Sequence, residues 1–221
     1  MFPGFEAKPT ADRFGNINKA YNFKNSFILV PVSPTIVSPD TAITICSWVK
    51  LNSINGLAPI VCKSNTSTRQ IPPQYRFGIT DSSKVLFGYN KNNTFPGTKI
   101  FSDSISIPIN KWFHLAVTFD GQFVKYYKDG ILFSTVIEIG RILPEFIEPL
   151  EIGRDSPSPS YYLDGDLDVV KIYSRALTSH EIVELYSDTN GCNDLCPVSI
   201  DSICMRTVSY THLTLPTSDL V

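Results

Sequence analysis

The chain has 221 residues, 43% hydrophobic, 12% aromatic and only 18% charged, with 19 Lys and Arg against 21 Asp and Glu for a net charge of −2. This composition excludes a disordered segment, and the lack of a basic excess argues against nucleic acid as a partner. No apolar run approaches the roughly 20 residues that span a bilayer, so no membrane insertion is expected.

Sixteen prolines and 12 glycines predict many turns between short strands, as in one large all-β domain. In chain order, a polar lead over 1–11 is followed by "AYNFKNSFILVPVS" (20–33), which predicts a first strand pair. "AITICSWVKL" (42–51) is rich in β-branched residues and predicts a strand, with "APIVCKS" (58–64) as its expected antiparallel partner across "NSING". "YRFGITD" (75–81) and "KVLFGYN" (84–90) predict another pair, after the loop "NTSTRQIPPQ" (65–74).

The segment "KWFHLAVTFDGQFVKYYKDG" (111–130) places Phe113, Leu115, Val117 and Phe119 on one side of a strand and Trp112, His114, Ala116 and Thr118 on the other. Asp120-Gly121 and Asp129-Gly130 predict tight hairpin turns, so the segment with "ILFSTVIE" (131–138) reads as a three-stranded meander. Strands apolar on both sides imply burial between layers, hence a sandwich. "PLEIGRD" (149–155) and "LDVVKIYS" (167–174) add two strands. One short helix is expected near 179–187, because Thr178 and Glu181 have capping-box spacing and Ile182, Leu185 and Tyr186 recur at helical intervals.

"ITICSWVK", "WFHLAVTFDGQFVKYYKDG", and "PLEIGRD" followed by "LDGDLDVVKIYSRALTSHEIVELY" together resemble the laminin-G-like family of the concanavalin A-like lectin and glucanase superfamily. The resemblance spans roughly 12–187 and implies an all-β, two-sheet antiparallel jelly roll with a concave face. It also implies a non-catalytic accessory role in a secreted or cell-surface multidomain protein, with a glycan or an extracellular protein as partner. The domain is expected over 12–190, with a cysteine-containing linker over 191–206.

Two readings concern the ends. "MFPGFEAKPTADRFG" (1–15) lacks the basic and apolar regions of a signal peptide, and family members have more chain before this point. "TVSYTHLTLPTSDLV" (207–221) resembles a translated transposase-adapter sequence from library preparation, and is set apart from the fold on that expectation.

A glucanase of this superfamily needs two closely placed carboxylates. "DGDLDVVK" contains no Glu, and Glu145, Glu148 and Glu151 in "EFIEPLEIG" are interrupted by Pro149, so no enzyme is expected; a divergent glycoside hydrolase is the catalytic alternative and a structural or protein-interaction spacer the non-binding one. Asp164, Asp166 and Asp168 alternate and would face one way in a strand, as three ligands for a structural calcium ion or as a solvated acidic turn. The resemblance singles out Asp168 among them. His114 is expected to be a satisfied framework histidine, and Trp48 and Trp112 core residues.

The candidates for ligand binding are the loop residues Tyr161 and Tyr162 with Arg154 and Asp155, and more distantly Tyr75, Tyr89 and Phe95. Asn65 and Asn93 head glycosylation sequons. Of five cysteines, Cys46 and Cys62 are either buried thiols or a cross-strand disulfide, while Cys192, Cys196 and Cys204 cluster late without the ligands of a zinc site.

Overall fold

The computed structural model describes residues 6–32, 39–64, 72–92, 97–143, 149–156 and 161–189, and the backbone of 202–205. The first half of the chain forms β1 (Lys8–Thr10), β2 (Ala20–Phe23), β3 (Ile28–Val30), β4 (Ile43–Ser53), β5 (Leu57–Lys63), β6 (Tyr75–Thr80), β7 (Val85–Tyr89) and β8 (Thr98–Phe101). The second half forms β9 (Phe113–Phe119), β10 (Phe123–Lys128), β11 (Ile131–Ile137), β12 (Leu150–Ile152), β13 (Arg154–Asp155), β14 (Tyr161–Tyr162) and β15 (Asp164–Tyr173). Helix α1 (Ser179–Ser187) and β16 (Ser202–Met205) follow.

These strands make two large antiparallel sheets, one ordered β1-β2-β15-β4-β9-β10-β11 with β16 also on β15, the other ordered β3-β12-β5-β6-β7-β8. The architecture is the two-sheet jelly-roll sandwich expected from the sequence. Strand alternation creates the core. Ile43, Ile45, Val49 and Leu51 of β4 and Phe113, Leu115, Val117 and Phe119 of β9 face inward against Tyr75, Phe77 and Ile79 of β6 and Val85, Phe87 and Tyr89 of β7.

The outer face of the large sheet is covered as well, which explains why β4 and β9 carry buried residues on both sides. On the large sheet, Leu177 and Ile182, at the approach to and within α1, pack on Cys46, Ala116 and Tyr127. The helix begins where the sequence places it: Thr178 accepts from the Glu181 backbone while the Glu181 side chain accepts from Thr178 N. In the meander, Asp129 (φ 51°) and Gly130 (φ 78°) supply the two positive φ angles of a hairpin turn. Asp120 Oδ1 shapes the other turn by accepting from the backbone of Gln122 and Phe123.

Two expected strand pairings are replaced. β2 does not pair with β3: it lies between β1 and β15 in the large sheet, while β3 is the edge of the small one. β4 does not pair with β5, because both of its edges are taken by β9 and β15, so "NSING" carries the chain from one sheet to the other. Cys46 and Cys62 consequently belong to different sheets, and both are free, buried thiols. The cross-strand disulfide is thereby excluded.

Candidate functional site

The outer face of the six-stranded sheet carries a polar row. Cross-strand register aligns Glu151 of β12, Cys62 of β5, Arg76 of β6, Gly88 of β7 and Lys99 of β8. Their inward neighbours Ile152, Phe77, Phe87 and Ile100 are core residues, so alternation turns the row outward.

A hairpin folds over one end of this row. Gly153 (φ 79°) turns the chain from β12 into β13, and a Cβ there would lie 2.3 Å from the Phe23 ring, so only glycine fits. β13 and β14 then pair Arg154 with Tyr162 and Asp155 with Tyr161, and both strands pack on β5. All four ligand candidates named from the sequence are thus brought together in one small hairpin.

Charge matching anchors the hairpin. Asp155, 8% exposed, accepts from Cys62 Sγ at 3.3 Å through Oδ1 and from Arg76 Nη1 at 3.3 Å through Oδ2. Arg154 Nη2 donates to Glu151 Oε1, and its guanidinium carbon sits 3.4 Å from the centre of the Phe27 ring. Burial, followed by the neighbouring Asp155 charge, pushes the Cys62 thiol well up, so it is a neutral S–H donor rather than a nucleophile.

The packing leaves polar atoms over. Glu151 is fully buried, yet its Oε2 has no hydrogen-bond partner, and neither do Ser156 Oγ and Arg154 Nε. Tyr161 is 41% exposed, with its ring edge against Gly56, where a Cβ would come within 2.9 Å of Tyr161 Cε1. Tyr162 is half-buried. An exposed ring beside charged groups offers an apolar face and polar partners at one place on the surface.

The more distant candidates fall elsewhere. Tyr75 and Tyr89 are core residues, with the Tyr89 hydroxyl donating to Glu138 Oε1 at 2.8 Å. They face inward because their strands place alternate residues between the sheets, so neither is a platform. Phe95, Asn65, Asn93, Glu145, Glu148, Cys192, Cys196 and the 207–221 tail lie outside the described residues, as does the Cys204 side chain.

The three aspartates of β15 sit on the other sheet, each with its own partner. Asp164 accepts from Asn52 and Ser53, Asp166 accepts from Asn22 Nδ2 at 2.6 Å and Lys50 Nζ at 3.0 Å, and Asp168 accepts from Arg13 Nη1 at 2.5 Å. A register shift after Asp168, with Val169 at φ 56°, also breaks the regular alternation. Lysine and arginine already neutralise two of the carboxylates, and no group of three or more His, Cys, Asp or Glu is gathered for a metal among the described residues. The arrangement does not fit a calcium ion.

Trp48 is not core. It is half-buried on the outer face of the large sheet, stacked 5.4 Å from Tyr186 of α1 with the Arg13 guanidinium 4.8 Å away, because outward alternation puts it under the helix. Trp112 is half-buried beside Lys50. His114 is buried in the same layer, but its Nδ1 has no hydrogen-bond partner, so it is not the satisfied histidine expected. Burial pushes its pKa down to about 4, with Arg13 and Lys171 adding to the effect against Asp129.

Glu151 was visible in the sequence only as part of a broken catalytic pattern, and Cys62, Arg76, Gly88 and Lys99 were not visible as a site at all. The usable signal is an outward charge, Arg76, between the inward Tyr75 and Phe77 of a buried strand.

Comparisons with known proteins agree with this architecture. Domain 4 of the extracellular arabinanase AbnA from Geobacillus stearothermophilus, solved with arabinotriose, superposes with a TM-score of 0.62 at 17% identity, covering 82% of this chain and 81% of that one. The CBM40 domain of a Ruminococcus gnavus IT-sialidase, bound to α2,3-sialyllactose, superposes with a TM-score of 0.59 at 12% identity, covering 82% and 96%. A putative carbohydrate-binding protein from Bacteroides ovatus gives 0.58 at 17% identity, covering 75% and 46%. No curated protein sequence matches. A laminin G family model, described as concanavalin A-like lectin/glucanases superfamily, matches residues 24–183. With most of the chain matched, and with the two antiparallel sheets in place, this protein belongs to the laminin G branch of the concanavalin A-like lectin/glucanase superfamily.

Proposed function

We propose that this domain is a non-catalytic carbohydrate-binding module of a secreted or cell-surface protein, and that its ligand lies along the outer face of the six-stranded sheet beside Tyr161 and Tyr162. The observation that carries the reading is the β13–β14 hairpin, which holds an exposed tyrosine ring on the same hairpin as Arg154 and Asp155, whose charges are matched by the buried Glu151 and the half-buried Arg76. Such an arrangement is rigid before ligand arrives, which lowers the entropic cost of binding. The two solved neighbours that contain oligosaccharides, arabinotriose and sialyllactose, support the same class of ligand.

The carboxylates on this face argue against a glycosidase. Glu151 is held by Arg154 and Asp155 by Arg76, and both are buried, whereas a glycosidase needs one carboxyl protonated and the other exposed to the sugar. No helix among the described residues is long and apolar enough to cross a membrane.

The test is a glycan array probed with the folded protein and with Tyr161→Ala. Binding by the parent protein and its loss in the variant, by about tenfold or more, is the expected result, since one stacked ring contributes roughly 1–3 kcal/mol in comparable base-stacking sites. A folded protein that binds no glycan would sink the reading.

A further inference from the structure

The two large sheets end in β1, β11, β3 and β8, and three of these strands carry features that discourage further pairing. β1 is three residues long with Lys8 and Pro9, β3 is three residues long and runs into Pro31, and β8 holds Lys99. β11 has seven residues without a charge or a proline.

The backbone of β11 is open on the side away from β10. Glu138 N donates to Gln122 O, so alternation along the ladder turns the N–H and C=O of Thr135 and Ile137 outward. Among the described residues nothing hydrogen-bonds to those outward groups. The side chains along this edge are uncovered too: Ile137 is 74% exposed and Ile139 72%, and Phe123, across the ladder from Ile137, is also exposed.

The charges at the two ends of the open stretch select what fits there. At one end Asp103 N donates to Ser134 Oγ at 3.0 Å, which sets an exposed carboxylate beside Ser134. At the other, Lys91 Nζ donates to Glu138 Oε1 at 2.8 Å and to the Ile139 carbonyl at 2.6 Å, so its ammonium stands on the edge in front of Glu138. An ammonium has a third donor, and neither that donor nor the Asp103 carboxylate is engaged among the described residues. An antiparallel strand of the same sequence, turned about a two-fold axis at Val136, aligns Thr135 with Ile137 of the other copy and Ser134 with its Glu138. Thr135 and Ile137 then exchange both backbone hydrogen bonds, and Asp103 of each copy meets Lys91 of the other.

We infer that two copies of this chain associate through β11, antiparallel about Val136, so that the large sheet runs on from one copy into the other. The assembly closes at two, because the pairing consumes the open edge of each copy and leaves the protected β1 at both ends. It goes beyond the carbohydrate-binding reading and does not depend on it, since the β13–β14 hairpin packs on the other sheet.

The experiment is sedimentation equilibrium of the full chain from about 1 to 500 µM, with amide hydrogen exchange at both extremes. The expected result is a reversible monomer–dimer equilibrium in which the amides of Thr135 and Ile137 become protected as concentration rises. Ile137→Lys places a charge on the open edge and Asp103→Lys sets two cations together. Each should raise the dissociation constant about tenfold or more, because every change enters a two-fold interface twice. Ile17→Lys removes an isoleucine that is 78% exposed, between β1 and β2 at the far end of the sheet, and should leave the equilibrium unchanged. All three positions are exposed, so circular dichroism should show the parent fold in each variant. A chain that stays monomeric over the whole range overturns the inference, as does a dimer that Ile137→Lys or Asp103→Lys leaves untouched, or an open-ended assembly.

Discussion

Arg13 and Asp168 are separated by 155 positions in sequence and joined at 2.5 Å in the fold, with both side chains almost completely buried on the outer face of the large sheet. The same guanidinium also donates to the Asp188 carbonyl just beyond α1, at 2.6 Å. One residue of the early chain therefore ties the middle of β15 to the end of the helix. The family-matched aspartate is an anchor for an arginine.

Removing that anchor should be costly. Asp168→Ala leaves Arg13 buried without its carboxylate, and breaking a buried pair in this way typically costs about 3–5 kcal/mol. Urea unfolding should show that loss, and the Arg13→Met, Asp168→Leu double variant should recover much of it. A single variant as stable as the parent would show that the pair has no structural weight.

If the β15 aspartates are held by Arg13, Lys50 and nearby amides, calcium removal should change nothing. Thermal unfolding in millimolar EDTA is expected to match that in millimolar calcium within a degree. A rise of several degrees on adding calcium would mean that a metal binds the native state, by linkage.

His114 sets a pH dependence whose sign can be worked out. Its folded pKa is pushed down to about 4, below the ordinary 6.5, so in the window between them the unfolded chain takes up a proton that the native state refuses. Stability should therefore be fully present above pH 6.5 and fall towards pH 4, by on the order of 3 kcal/mol at one group. His114→Phe should flatten that slope in unfolding curves from pH 4 to 7.5. An unchanged slope would assign the titration to other groups.

The helix cap gives a smaller effect. Thr178→Ala removes the acceptor for Glu181 N, so a loss of about 1 kcal/mol is expected in chemical denaturation. Glu181 is held down to about 2, first by its hydrogen bond from Arg175 and then by the Thr178 backbone, so its contribution should be present above pH 4.5 and vanish towards pH 2. Because the group is largely exposed, the pH effect should be small. A variant with unchanged stability would show that tertiary packing of Ile182 alone holds the helix.

What was legible in the sequence was what neighbouring residues decide. The β9–β11 meander follows from two Asp-Gly turns and local alternation, and α1 follows from Thr178 and Glu181. The hairpin candidates Arg154, Asp155, Tyr161 and Tyr162 were found because they flank a single loop. Pairings that depend on distant strands were not legible: β4 reads as a partner for β5 until β9 and β15 take both of its edges. The row of Glu151, Cys62, Arg76, Gly88 and Lys99 draws on five strands, so no local window contains it. The aspartates of β15 misled for the same reason, since their partners Asn22, Lys50 and Arg13 lie more than 100 positions away.

The two unlinked thiols among the described residues are built-in reporters of how the sandwich breathes. Cys46 lies beneath α1, packed with Leu177 and Ile182, and Cys62 lies beneath the β13–β14 hairpin, bonded to Asp155. Burial pushes the Cys46 thiol up to about 12 and Cys62 well up, so each can be alkylated only when its own cover lifts. Labelling kinetics resolved by peptide mapping would clock the two covers independently in one sample. A saccharide seated against the hairpin would slow the Cys62 clock and leave that of Cys46 running.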